Sequence, residues 1–268
     1  MIHAPLRTAV RSLVACVVAF CLLAGARGPA ALGPAVQGGG DLRKAFEELD
    51  AKKDEAGLRE FWKQNADATL GLIDSYLEGS LREIEKKGDA SKIAAMQQLA
   101  LRGAKAADAA HGRQIFADYA SSFIGWDEAQ RKSFRAGQKA FGKANAALKK
   151  GDAAAALASA EECVKLARPL GDWWGTAMGL TASAEAQEKL GKREEAVELH
   201  QQAWLIHREL GLRGDAYGNL AAMATLLADL GRNERARVSA ERALEMARAL
   251  GDAEGTTKLE ELLKRLAK

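Results

Sequence analysis

The sequence predicts an all-α fold: a right-handed α-solenoid of stacked helix pairs with an N-terminal helical extension. Three observations predict it. Alanine is abundant, while proline occurs only four times in 268 residues. Alanine loses no side-chain entropy in a helix, and proline breaks a helix interior. Second, a block of 40 residues recurs through the C-terminal half, and a period of 20–50 residues is the mark of stacked repeat units. Third, a glycine stands at the end of the helices predicted in the repeated blocks, as Gly231 and Gly251 do, where the backbone must turn left-handed.

Residues 1–26 have the layout of a secretory signal. Arg7 and Arg11 make a positive start, residues 12–23 (SLVACVVAFCLL) are mostly apolar, and Ala24-Gly25-Ala26 offers small residues for cleavage. The apolar run is shorter than the ~20 residues of a membrane span. Cys16 and Cys21 fall inside this segment, so a cleaved chain keeps Cys163 alone. That excludes an internal disulfide and a thiolate metal cluster in the mature chain. The signal also supplies the excess charge: without it 37 basic side chains face 36 acidic ones. A balanced, interleaved surface argues against a dedicated nucleic-acid binder.

Residues 27–40 (RGPAALGPAVQGGG) read as a flexible linker. The region 41–130 reads as helical. Asp41 is a fair N-cap for a helix carrying Phe46, Leu49, Leu58, Phe61 and Trp62. A second helix, over about 68–87, carries Leu70, Ile73, Leu77, Leu81 and Ile84; a third carries Ile93, Met96, Leu99 and Ala100. The run Lys86-Lys87-Gly88-Asp89-Ala90 echoes Lys149-Lys150-Gly151-Asp152-Ala153, which marks 66–110 as a candidate degenerate repeat. Residues 111–126 are richer in aromatics and are expected to pack across the first unit of the array.

The array itself occupies 131–268, with full units at 131–170, 171–210 and 211–250 and a terminal segment at 251–268. Gly171, Gly211 and Gly251 share a phase, as do Gly191 and Gly231, Ala184 and Ala224, Ala196 and Ala236, Ala203 and Ala243, and Leu210 and Leu250. Each unit is two helices. In the third unit helix A is predicted over about 216–230 and helix B over about 234–250. The small residues sit where helices must approach closely. One pair cannot bury its apolar face alone, so pairs stack into a curved array whose concave groove is lined by A helices. Leu259, Leu262, Leu263 and Leu266 form a single stripe with charges between them, the pattern of a capping helix.

The pattern G-D-x-x-G…L…A…L-G-x-x-E-x-A…A-L-x-x-A-R-x-L resembles the 40-residue variant of the tetratricopeptide repeat, as in kinesin light chains, Pins-type adaptors and many bacterial proteins. The resemblance covers 131–268. It implies an adaptor with no chemistry of its own and no cofactor, holding a protein or peptide in the groove. The asparagine with which that family often grips its ligand is missing: the matching positions are Gly142, Ala182 and Ala222. Asn219 lies three residues away and does not align. By position on helix A, the groove is expected to include Gln138, Asn145 and Lys149 from the first unit, Met178, Glu185 and Lys189 from the second, and Thr225 and Asp229 from the third. This set is polar and mixed in sign, and favours a polar or charged extended partner over a purely apolar one; a plain solvated face has the same composition.

Other chemistry is weakly signalled. His200 and His207 lie seven apart on one helix face, but no further metal ligands stand at suitable spacing. His200 aligns with Ala160 and Ala240, so packing is its expected role. Cys163 aligns with Ala203 and Ala243 and is expected to be buried and inert. Trp173-Trp174 opens the second unit; both tryptophans pack inward, or one stays at the edge as an anchor. No phosphate-binding loop, nucleophile elbow or zinc-protease motif appears. The expected function is therefore a non-enzymatic, secreted or periplasmic adaptor, without nucleic acid and with a membrane connection only through an uncleaved N-terminal segment. The alternatives are a membrane-tethered assembly factor and a helical small-ligand sensor or enzyme using 41–126.

Overall fold

A computed structural model describes residues 39–267, among which there are twelve α-helices and no strand. The signal segment and most of the expected linker lie outside the described residues. In order the helices are α1 (Gly39–Ala51), α2 (Glu55–Gln64), α3 (Thr69–Glu85), α4 (Ala90–His111), α5 (Ile115–Gly125), α6 (Glu128–Lys150), α7 (Ala153–Ala167), α8 (Trp173–Lys189), α9 (Arg193–Glu209), α10 (Arg213–Asp229), α11 (Asn233–Leu250) and α12 (Ala253–Leu266). Short 3-10 turns, Ala66–Ala68 and Arg168–Leu170, precede α3 and follow α7.

From α6 onward each helix packs on its neighbours in sequence, and A helices also meet directly, α6 with α8 and α10 with α12. This is a solenoid-like arrangement of helix pairs. Its punctuation is regular: Gly151, Gly171, Gly191, Gly211, Gly231 and Gly251, one every 20 residues, all have φ between 67° and 79°. A side chain is strained in that conformation, so glycine fixes each turn. Aspartate starts several of the helices. Asp152, Asp172 and Asp252 accept hydrogen bonds from the backbone amides of Ala155, Gly175 and Gly255, which have no partner within their own helices.

Alanine makes the array's core. Ala144, Ala160, Ala184, Ala196, Ala203, Ala224, Ala236 and Ala243 are all fully buried, so helix axes come close with little side-chain bulk between them. Cys163 occupies one of these positions, with its thiol 3.5 Å from the Gly175 carbonyl, and burial pushes that thiol up to about 12. The terminal stripe forms as expected: Leu259 and Leu262 are buried, and Leu263 and Leu266 close over them.

The N-terminal half has a different core, built from Phe46, Phe61, Trp62, Tyr76, Phe116, Tyr119, Phe123 and Trp126. It continues into the array through Phe134 and Leu170. The rings of Phe123 and Trp126 stack at 4.3 Å, and Trp126 donates its ring N–H to the Leu170 carbonyl at 3.0 Å. The aromatic segment 111–126 thus packs across the first unit as expected.

Three expectations are corrected. The helix expected to run from Phe46 to Trp62 is two, broken at Lys52–Asp54 by Lys53 at φ 54°. Gly39 and Gly40 belong to α1 rather than to the linker. Asp41 consequently lies in the first turn of that helix instead of capping it. The α3–α4 hairpin matches the echo of the repeat turn, except that Lys87 (φ 55°), not Gly88, takes the left-handed position.

Candidate partner-binding groove

The residues expected to line the groove stand on α6, α8 and α10. Lys149 and Lys189 are exposed at the ends of α6 and α8, and Asn145, Met178 and Glu185 are half-buried. Asp229, at the end of α10, is exposed and lies 3.9 Å from Arg193 of α9. Thr225 is exposed and donates its hydroxyl to the Ala221 carbonyl at 3.1 Å.

Thr225 lines a concavity. An open-sided cleft of about 590 Å³ lies between α10 and α12. Tyr217, Ala221 and Thr225, one turn apart on α10, form one wall; Leu259 and Leu262 of α12 supply its apolar side, and Lys258, Glu261, Lys264 and Arg265 a charged rim of both signs. Tyr217 is held in place by donating to the Asp252 carboxylate at 2.8 Å. The volume is in the range of ligand clefts. Repeat position alone did not single out this end, because α12 had been read only as a cap.

Gln138 is exposed on α6, and its amide is hydrogen-bonded. Its amide donates to Glu78 of α3 at 2.7 Å and accepts from Arg135 at 2.8 Å. Arg135 also donates to Glu78 at 2.9 Å and to Glu85 at 2.7 Å, holding the Glu85 carboxyl below its usual range. At the first unit, therefore, α3 takes the polar contacts that a partner would need.

Beside this cluster is a second seam. Tyr119 donates to Asp74 at 2.7 Å. Burial pushes the Asp74 carboxyl up to about 7 against that bond, and pushes Asp172 up to about 6 against the Gly175 amide. The array's loops meet the N-terminal bundle here and further along: Arg113 donates to the Glu209 carbonyl at 2.8 Å, and Arg213 pairs with Asp67. Of the equivalent leucines in the three loops, Leu170 is 6% exposed and Leu210 1%, but Leu250, beyond the bundle, is 38% exposed.

Trp174 packs against the aromatic core, whereas Trp173 remains at the edge, 36% exposed. His200 and His207 are buried, and Asn219 lies between them, 2.7 Å from one ring and 3.1 Å from the other. The sequence carried a clue to this: Asn219 aligns with Gly179 and Leu259, so a polar side chain enters an apolar register at the point where two histidines replace alanines. Among the described residues no group of three or more His, Cys, Asp or Glu converges as for a metal ion, and no helix is long and apolar enough to cross a membrane. Within 41–126, a cleft of about 390 Å³ on α2 is lined by Glu55, Arg59, Glu60, Lys63 and Ala56, without an apolar wall.

No protein-family model matches the chain, and no curated protein matches it.

Proposed function

We propose that this chain is a tetratricopeptide-type adaptor, acting outside the cytoplasm, that holds a protein or peptide partner against its A helices. The observation that carries the reading is the cleft between α10 and α12, where apolar Ala221, Leu259 and Leu262 adjoin polar Tyr217, Thr225 and Lys258. An extended segment gains from such a surface by burying an apolar side chain while its polar groups meet the rim. The first unit contributes little, since Gln138 and Arg135 are engaged by α3. Binding is centred on the second and third units and α12.

The test is affinity capture from an extract of the source cells with three baits: the unaltered protein, Glu185→Ala/Lys189→Ala, and Thr225→Ala/Lys258→Ala. A partner retained by the unaltered bait and lost with a groove variant that keeps its helical circular dichroism supports the adaptor reading. Identical retention by all three removes the groove and moves attention to the Trp173 edge. If nothing is retained by any bait, the sensor or enzyme alternative takes precedence.

A further inference from the structure

The buried polar chain between the second and third helix pairs has chemistry that the groove does not use. His200 and His207 are two turns apart on α9, each 2% exposed, and Asn219 reaches them from α10. The neighbouring units place alanine at all four equivalent positions, Ala160, Ala240, Ala167 and Ala247. Only this joint is polar at that register.

The hydrogen bonds fix both protonation patterns. Asn219 Nδ2 donates to the Asp215 carbonyl at 2.8 Å, one turn earlier in α10, which settles the orientation of the amide. Its Oδ1 then faces His200 Nδ1 at 2.7 Å and the Thr181 hydroxyl of α8 at 3.2 Å. An amide oxygen only accepts, so His200 carries its proton on Nδ1. The Asn219 Nδ2 also faces His207 Nδ1, at 3.1 Å. An amide nitrogen only donates, so His207 Nδ1 is bare and its proton is on Nε2. The two rings are opposite tautomers. Each Nε2 is buried without a hydrogen-bond partner among the described residues.

Neither ring has room for a second proton. On His207 it would go to Nδ1 and confront the amide N–H of Asn219, donor against donor. On His200 it would go to Nε2, a buried atom with no acceptor. Burial holds His200 toward its neutral form, and outweighs the Asn219 bond and the charge of Glu188 on α8, both of which favour the cation. Asp215 of α10 is itself pushed toward its neutral form by burial. Burial alone acts on His207, taking it down to about 4.

We propose that the His200–Asn219–His207 chain is an acid-released joint, which ties α9 to α10 while both rings are neutral and lets the two helix pairs part when the rings take up protons. The sign follows from linkage. An unfolded histidine gains its proton near pH 6.5 and the buried ring does not, so the joint's stability is complete above that pH and is lost as the pH falls below it.

The experiment has two parts. Imidazole nitrogen NMR of the whole protein at pH 7.5 should show one ring protonated at Nδ1 and the other at Nε2; two identical tautomers, or two rings titrating near 6.5, would overturn the proposal. Denaturant unfolding is then compared at pH 7.5 and 5.5 for the wild type and for His200→Gln/His207→Gln. Glutamine can donate to or accept from Asn219 but does not titrate. His3, His111 and the buried aspartates are common to both proteins and cancel. The wild type should lose about tenfold in its folding constant per histidine beyond whatever the variant loses, or about a hundredfold in all. An equal response in the two proteins overturns the joint. Should the variant fail to fold, amide exchange of the wild type decides, once corrected for its intrinsic pH dependence. Acid must accelerate exchange in α9 and α10 more than in α6 and α7; uniform acceleration overturns the proposal.

Discussion

Asp74 shows how one side chain takes its properties from a seam that its own neighbours in sequence do not reveal. It sits on α3, accepts from Tyr119 of α5, and feels Glu78 and Asp172. With its carboxyl raised to about 7, the folded protein holds a proton there that the unfolded chain releases near pH 4. Stability from this group is therefore greatest at low pH and falls as the pH rises from about 4 to about 7, opposite in sign to the histidine joint. Asp74→Asn keeps an acceptor for Tyr119 and abolishes the titration. Thermal melts between pH 5 and 7.5 should be flatter in the variant, by at most about 1.4 kcal/mol for each unit of displacement. An unchanged pH profile would show that Asp74 stays charged throughout. None of this was legible in the sequence, where Asp74 is one acid on a polar helix face. Asn219 was legible in part, because it breaks an apolar register; its partners were not, because they lie 12 and 19 residues away on another helix.

Among the elements, α12 does more than the sequence asked of it. Its leucine stripe was read as a cap, and Leu259 and Leu262 do close the array. The same helix also supplies a wall of the cleft against Tyr217 and Thr225. Leu262→Ala removes a buried side chain from both roles. Expected is a loss of about 2–4 kcal/mol in chemical denaturation, with exchange of the α12 amides affected first. A loss below 1 kcal/mol would mean that α12 is held by other contacts. Within the array the helices are legible, since amphipathic stripes, aspartate caps and glycine turns agree with one another. The missed break at Lys52–Asp54 has a physical reason. Lys53 takes a left-handed conformation that normally advertises itself with glycine; the sequence signals that remain are the gap in large apolar residues between Leu49 and Leu58 and the cap Asp54.

At the scale of the whole molecule there are two kinds of core: an aromatic one in the N-terminal half that takes in Leu170 and Leu210 from the array's loops, and an alanine-rich one within the array. The 40-residue period made the array legible, because repetition averages out local ambiguity. The N-terminal bundle has no such redundancy, and its contacts with the array join residues as far apart as Asp67 and Arg213. The bond from the Gln138 amide to Glu78 of α3 is another such contact, which the repeat period does not reveal. The bundle also makes equivalent repeat positions unequal. Leu210→Ala should cost about 2–4 kcal/mol and Leu250→Ala about 1 kcal/mol or less, although the two residues close equivalent turns of successive units. Equal costs in urea unfolding would show that the bundle does not bear on the Leu210 loop.

The glycines recurring every 20 residues carry a further consequence, for how such a chain can change its length. Because Gly171, Gly211 and Gly251 turn the backbone alike, a 40-residue block can be duplicated without disturbing the turn on either side. The freedom is not the same everywhere. A block inserted before Gly171 would carry Arg213 away from Asp67 and Glu209 away from Arg113. A block inserted after Leu250 meets a loop whose leucine is uncovered and disturbs neither contact. The molecule is thus a ruler fixed at one end: lineages that lengthen or shorten it should do so beside α12, leaving the first two units constant in number.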